Sequence, residues 1–258
     1  MARTLNNLGN LDRMQNRLEE ACNHDEDALN IYRKLVQQNP DVYLPYLAAT
    51  LNNLGSIERL QNHLDHARQD YEESLQINRQ LAEQDRSKYL PNVAMVLNEY
   101  ALVDASQNRM DAARQHYEEA LRISRQLAAE SPDAYLPQLA MTLSNFGLFD
   151  AFQQRMDDAR QHYEEALQID RQLAQQNAAV YLPDLAMTLS NFGRVDQRLG
   201  RTEQSRASYE EAYSLLQKLS QGNGAYMNEI SRVEASLEEL QKMSPSQQTP
   251  TGTTSENR

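Results

Sequence analysis

Three kinds of side chain return at regular spacing in this sequence and carry the chemistry it has to offer. Amide and hydroxyl groups recur at Asn6, Asn52, Asn98, Ser144 and Ser190, and beside them at Asn7, Asn53, Asn145 and Asn191. Asparagine holds a donor and an acceptor on one short stem, so a ladder of them suits the backbone of an extended peptide and equally suits a bond between neighbouring helices. Carboxylates recur at Asp12, Glu58, Asp104, Asp150 and Asp196. They can pair with a cation of the adjoining copy, select a basic ligand, or form an idle surface row; pairing between copies is the preferred reading. Guanidinium groups at Arg13 and Arg59 give way to Ala105, Ala151 and Gln197 at the same register, with Arg194 and Arg198 nearby.

None of these sets is arranged for catalysis. The sequence has no His-Glu-x-x-His zinc signature, no glycine-rich phosphate loop and no nucleophile elbow. His63 and His66, three apart at a helix start, would need further metal ligands that the sequence does not offer. His116 and His162 fall in identical Arg-Gln-His-Tyr-Glu-Glu contexts and are expected on the outer side of their helices. No catalytic residue, metal or cofactor is expected. The single cysteine, Cys22, has no intrachain disulfide partner and is compatible with a reducing compartment.

These side chains are carried by a repeat. Tyr-Leu-Pro recurs at Tyr43, Tyr89, Tyr135 and Tyr181, a constant interval of 46 residues. Such a period marks an array whose units bury their apolar faces against their neighbours. In the copy at 135–180, Pro137 suits the first turn of a helix A running to about Gln153, because proline's missing N–H has no intrahelical partner there. Leu139, Leu143, Phe146, Phe149 and Phe152, three or four apart, mark one face of that helix. Asp157 and Asp158 open a helix B reaching about Gln175, where the helix dipole favours acids. Asn177 to Val180 reads as the join. Arg68 with Glu72, Arg114 with Glu118, Arg160 with Glu164 and Arg206 with Glu210 stand four apart, as solvated-face pairs.

Composition agrees with helices, since Leu, Ala, Gln, Glu and Arg dominate and tryptophan is absent. A formal charge of −12 argues against a nucleic-acid footprint and against anionic lipid, both of which need a basic face. No apolar run approaches the ~18 residues of a membrane span, and no signal-peptide core opens the chain. The reading is a soluble, cytoplasmic protein with no nucleic-acid or membrane partner. Residues 1–226 are expected to form five helical hairpins, the first truncated at its N-terminus, where an uncapped end favours self-association. Ile230, Val233, Leu237 and Leu240 make one narrow stripe, so 227–243 is expected to cap the array after the Gly222-Asn223-Gly224 stop. Residues 244–258 have no large apolar side chain and are expected to be disordered.

The Asn-Phe-Gly, Ala159, Tyr163 and Ala166 columns resemble the tetratricopeptide repeat, with its Leu-Gly pair in helix A and Ala, aromatic, Ala in helix B. Such repeats have about 34 residues, so about 12 more are expected to lengthen helix B and the join. The long helix B ending in Gln-Leu-Ala is similar to the kinesin-light-chain-like subclass. In two places the chain departs from that pattern: the recurring acid stands where the family usually has tyrosine, and Arg33, Arg79, Arg125, Arg171 and Gln217 replace the proline that usually ends helix B.

The resemblance implies an all-α, right-handed solenoid whose concave groove, lined by A helices, binds protein or peptide without catalysis. Its expected lining is Asn6, Asn7, Asn52, Asn53, Arg59, Asn98, Leu102, Ser144, Asn145, Leu148, Phe152, Ser190, Asn191, Arg194 and Arg198. Basic at its ends and apolar at its middle, that groove suits a partner with an apolar centre and acidic flanks. The alternative is a self-assembling structural or sensory module acting on a separate effector subunit.

Overall fold

The computed structural model of the chain describes residues 1–221, 224 and 226–243; the tail expected at 244–258 and most of the glycine-rich stop lie outside them. The described residues form eleven α-helices and no strands. A helices are α1 (Ala2–Met14), α3 (Pro40–Leu60), α5 (Arg86–Ser106), α7 (Pro132–Phe152) and α9 (Ala178–Arg198). B helices are α2 (Leu18–Val36), α4 (Leu64–Gln84), α6 (Met110–Glu130), α8 (Met156–Gln176) and α10 (Thr202–Ser220), and α11 is Met227–Met243. The molecule is an α-solenoid of helical hairpins. None of these helices is long and apolar enough to cross a membrane.

Helix A begins earlier than the sequence suggests. α7 starts at Pro132, which takes the N-terminal position that suits proline, and Pro137 lies inside the helix, as do Pro45, Pro91 and Pro183 in theirs. At that depth Pro137 omits one bond to a carbonyl of the first turn, a loss the long helix absorbs. The residue before α3, α5, α7 and α9 is polar: the Asn39 side chain accepts from the Val42 N–H and Asp85 from the Lys88 N–H, satisfying donors the helix itself leaves open. Ser131 and Asn177 hold the same position. Between α8 and α9 the join is thus a single residue, and Ala178 to Val180 belong to α9. The added length goes equally into both helices, since α7 and α8 have 21 residues each.

Each A helix ends in the same three-residue turn, with Asn16, Asn62, Asn108, Gln154 and Gly200 at φ between 58° and 71°. The next N–H bonds back to the carbonyl of the recurring acid, as Arg155 does to Asp150 and Arg109 to Asp104 at 2.9 and 2.8 Å. This closure satisfies carbonyls that a helix end would otherwise orphan.

The chain forms two compact units, Met1–Ile169 and Asp170–Arg258, with α8 divided between them. In the first unit each helix from α1 to α7 packs on the next, and successive A helices touch one another. Small residues let A and B approach: Ala21, Ala67, Ala113, Ala28, Ser74 and Ala120 have no exposed surface. Tyr71, Tyr117, Leu51, Leu97 and Leu143 fill the space between them, each contributing about 1.5–3 kcal/mol by leaving water. Gly55 and Gly147 let tyrosine rings lie against the A-helix backbone, as a Cβ there would meet Tyr71 at 3.0 Å or Tyr163 at 3.1 Å. In the second unit α9 packs on α10 and α10 on α11, with Ile230, Val233 and Leu240 buried in a cluster with Ala186, Tyr209 and Leu216.

Candidate functional site

The A helices of the first unit carry a run of exposed apolar residues. Leu102, Ala105 and Ser106 of α5, Asn145, Leu148, Phe149 and Phe152 of α7, and Tyr117 of α6 line an open pocket of ≈ 340 Å³. Leu148 is 42% and Phe152 68% exposed, although Phe152 belongs to the apolar spacing of α7. Met95 and Met141, exposed two turns earlier on α5 and α7, extend the same stripe. Sequence reading missed them, and their signal was a methionine at Met95, Met141 and Met187, at the period of the repeat. Contiguous exposed apolar surface marks a place where something docks, and methionine adapts its shape to an occupant.

The amide columns divide. Asn98 is 1% exposed and donates to the Ala94 carbonyl at 3.1 Å and to Thr142 Oγ1 at 2.8 Å, so it ties α5 to α7 and is not open to a ligand. Asn6 makes the same tie to Thr50 Oγ1 at 2.7 Å. Asn52 has Val96 where those have threonine, and its buried Oδ1 is without a partner. Half-buried Ser144 lies in the same register on α7. In the second column Asn7 is exposed and Asn53 and Asn145 are half-buried on the A-helix face. Glu99 takes that column's place in α5 and pairs with Arg59 across copies at 3.5 Å. The basic end expected at Arg59 is therefore offset by a carboxylate.

In the second unit, Met187, Ser190, Asn191 and Arg194 of α9 line a smaller pocket of ≈ 110 Å³ with Tyr209 and with Glu229, Arg232, Val233 and Ser236 of α11. Ser190 donates to the Ala186 carbonyl at 3.0 Å, and Arg194 to Asn191 Oδ1 at 2.9 Å. Arg198 is exposed at the end of α9.

The recurring acids are buried, and two of them join repeats. Asp150 has no exposed side-chain surface and accepts from Arg114 of the preceding copy, with Arg155 Nε at 3.8 Å and His162 Nδ1 at 3.1 Å. Asp104 repeats this with Arg68 at 3.6 Å, Arg109 at 3.2 Å and His116 at 3.1 Å. Arg114 thus reaches the next copy's Asp150, not Glu118 on its own helix. The histidines do not lie on the outer side as expected. His116 stacks on Tyr100 and His162 on Phe146, at centroid distances of 4.4 and 4.5 Å, with Arg68 and Arg114 over the same rings. A second ladder replaces the missing prolines: Arg33–Glu73, Arg79–Glu119, Arg125–Glu165 and Arg171–Glu211 pair across copies at 2.5–2.7 Å.

The tetratricopeptide repeat family model matches residues 1–80, 92–172 and 138–218. Among solved structures, the chain is similar to BtubC (BKLC) from P. vanneervenii, at 20% identity and TM-score 0.70, over 87% of this chain and 83% of that one. It is similar to the nearly identical repeats of a putative kinesin light chain from Podosopora anserina, at 14% identity and TM-score 0.62, over 85% and 97%. The apo form of RapI matches at 14% identity and TM-score 0.67, over 92% and 83%. No curated protein matches. At these identities the likeness is one of fold.

Proposed function

Because the chain belongs to the tetratricopeptide-repeat family, we propose that it is a non-catalytic scaffold holding a segment of a partner protein on the A-helix face of its first unit. The observation that carries this reading is the pocket between α5 and α7, apolar at its walls and rimmed by Asn145. A bulky apolar side chain of the partner fills it, Leu148 and Phe152 close over that anchor, and the amide of Asn145 meets the partner's backbone. Interface energy concentrates in such anchors, so a few residues decide affinity.

Peptide display on the intact chain tests it. Selected peptides share a bulky apolar residue, and Phe152→Ser weakens them roughly tenfold or more, the effect of losing one anchor contact. Arg171→Gln, in the exposed ladder, leaves them unchanged. Peptides that bind the Phe152→Ser variant as well as the parent would sink the reading.

A second reading, self-assembly, is favoured by α1. Leu8 and Leu11 are 41% and 46% exposed, where their counterparts Leu54 and Ile57 are 3% and 0%. Light scattering on the same samples separates the two. Leu11→Lys lowers the mass only if copies meet through α1, and leaves peptide capture intact.

A further inference from the structure

One joint of the first unit breaks the electrostatic rule the others follow. At Asp104 and at Asp150 the acid is met by an arginine from the preceding B helix, an arginine from the turn and a histidine from its own B helix. At Glu58, the same register, Cys22 stands for the first arginine, His63 for the second and Asp70 for the histidine. Leu54 replaces the ring on which the arginine and histidine would stack. Two permanent cations are gone and a second carboxyl has entered. Among the described residues Glu58 pairs with His66, whose Nδ1 lies at 3.5 Å, and Glu58 Oε2 is buried without a hydrogen bond.

We propose that this joint, where α2, α3 and α4 meet, is a proton-dependent hinge that is tight when Glu58 and Asp70 hold protons and loosens when both are ionised. The charged and titratable groups facing it are Cys22, Glu26 and Arg33 of α2, Glu58 of α3, His63 of the turn, and His66, Asp70 and Glu73 of α4. Burial pushes Glu58 up to about 7, helped by Glu26. Burial also pushes Asp70 up to about 7, with Glu58 and Glu73 raising it and Arg33 and His66 opposing. A carboxyl whose folded pKa is raised stabilises the fold in its protonated form. That contribution is complete at acid pH and is lost as pH rises through about 7. Arginine in place of Cys22 would remove the dependence, being charged at every pH.

Hydrogen exchange of the intact chain at pH 6 and pH 8, corrected for the intrinsic pH dependence of exchange, reads the hinge in α3 and α4. One group released from a pKa near 7 to its ordinary value on opening makes opening about tenfold more frequent over that interval. Amides around Glu58 and in the first turns of α4 show that excess, and those around Asp104 and α6 do not. Asp25, also raised to about 7 by burial, belongs to the packing of α2 on α1 and is kept apart by reading α3 and α4. Cys22→Arg abolishes the excess, and so does Glu58→Gln combined with Asp70→His, which serves if the arginine variant folds poorly. Equal pH dependence at the Glu58 and Asp104 joints, or an excess surviving in all folded variants, overturns the proposal.

Discussion

Gln154 sits at φ +60° in the turn between α7 and α8, a left-handed conformation that costs an L-residue with a Cβ roughly 1–2 kcal/mol. Three other copies place asparagine there, which tolerates the region better, and one places Gly200. Nothing lies within 4 Å of a Cβ built on Gly200, so backbone conformation and not space favours glycine. Gln154→Gly is expected to stabilise the protein by about 1 kcal/mol, raising the thermal midpoint by about 2–4 °C. A calorimetric midpoint that falls would show that the glutamine is held by something other than the turn.

Between elements, the two ion-pair ladders differ in what surrounds them. Asp150 is sealed between Arg114 and His162, whereas Arg125 and Glu165 meet in solvent, their side chains 50% and 33% exposed. Removing one member of a buried pair strands its partner, at a cost of about 3–5 kcal/mol. An exposed pair trades weak attraction against side-chain freedom and is worth about 0–1 kcal/mol. Asp150→Ala is therefore expected to cost about 3 kcal/mol in urea unfolding, and Arg125→Ala less than about 1. Equal costs would mean that Asp150 acts only through its backbone carbonyl, which accepts the bond from Arg155 in either case.

Across the whole molecule, stability is expected to be nearest-neighbour in kind, because each helix of a repeat array is supported by those beside it. A chain ending at Tyr226 loses Ile230, Val233 and Leu240 from their cluster with Tyr209 and Leu216. Three buried side chains at about 1.5–3 kcal/mol each amount to about 5–9 kcal/mol, an upper range since an unfolded chain is partly collapsed. Hydrogen exchange should quicken in α9 and α10 while α1 to α4 keep their protection. Loss of protection throughout would show that the array unfolds as one cooperative body. The net charge of −12 belongs to this scale too, disfavouring polyanionic partners whatever the local face presents.

The sequence by itself determined the repeat, its helical hairpins, the small-residue columns and the family, because period and apolar spacing depend only on which residues must be buried together. It also singled out Leu148 and Phe152 as candidates, and both are exposed on α7. It did not show where helix A begins, as a proline inside a helix and one at its start look alike until the capping side chain is seen. Nor could it distinguish an amide left on the A-helix face, such as Asn53, from one tied to the next A helix, such as Asn98 to Thr142, a matter of tertiary distance. The acids of the recurring column had three readings on paper. Only the fold, by bringing Arg68 and Arg114 from the preceding copy onto Asp104 and Asp150, decided that these two join repeats. A buried charge takes its meaning from what surrounds it in space, and chain order does not record that.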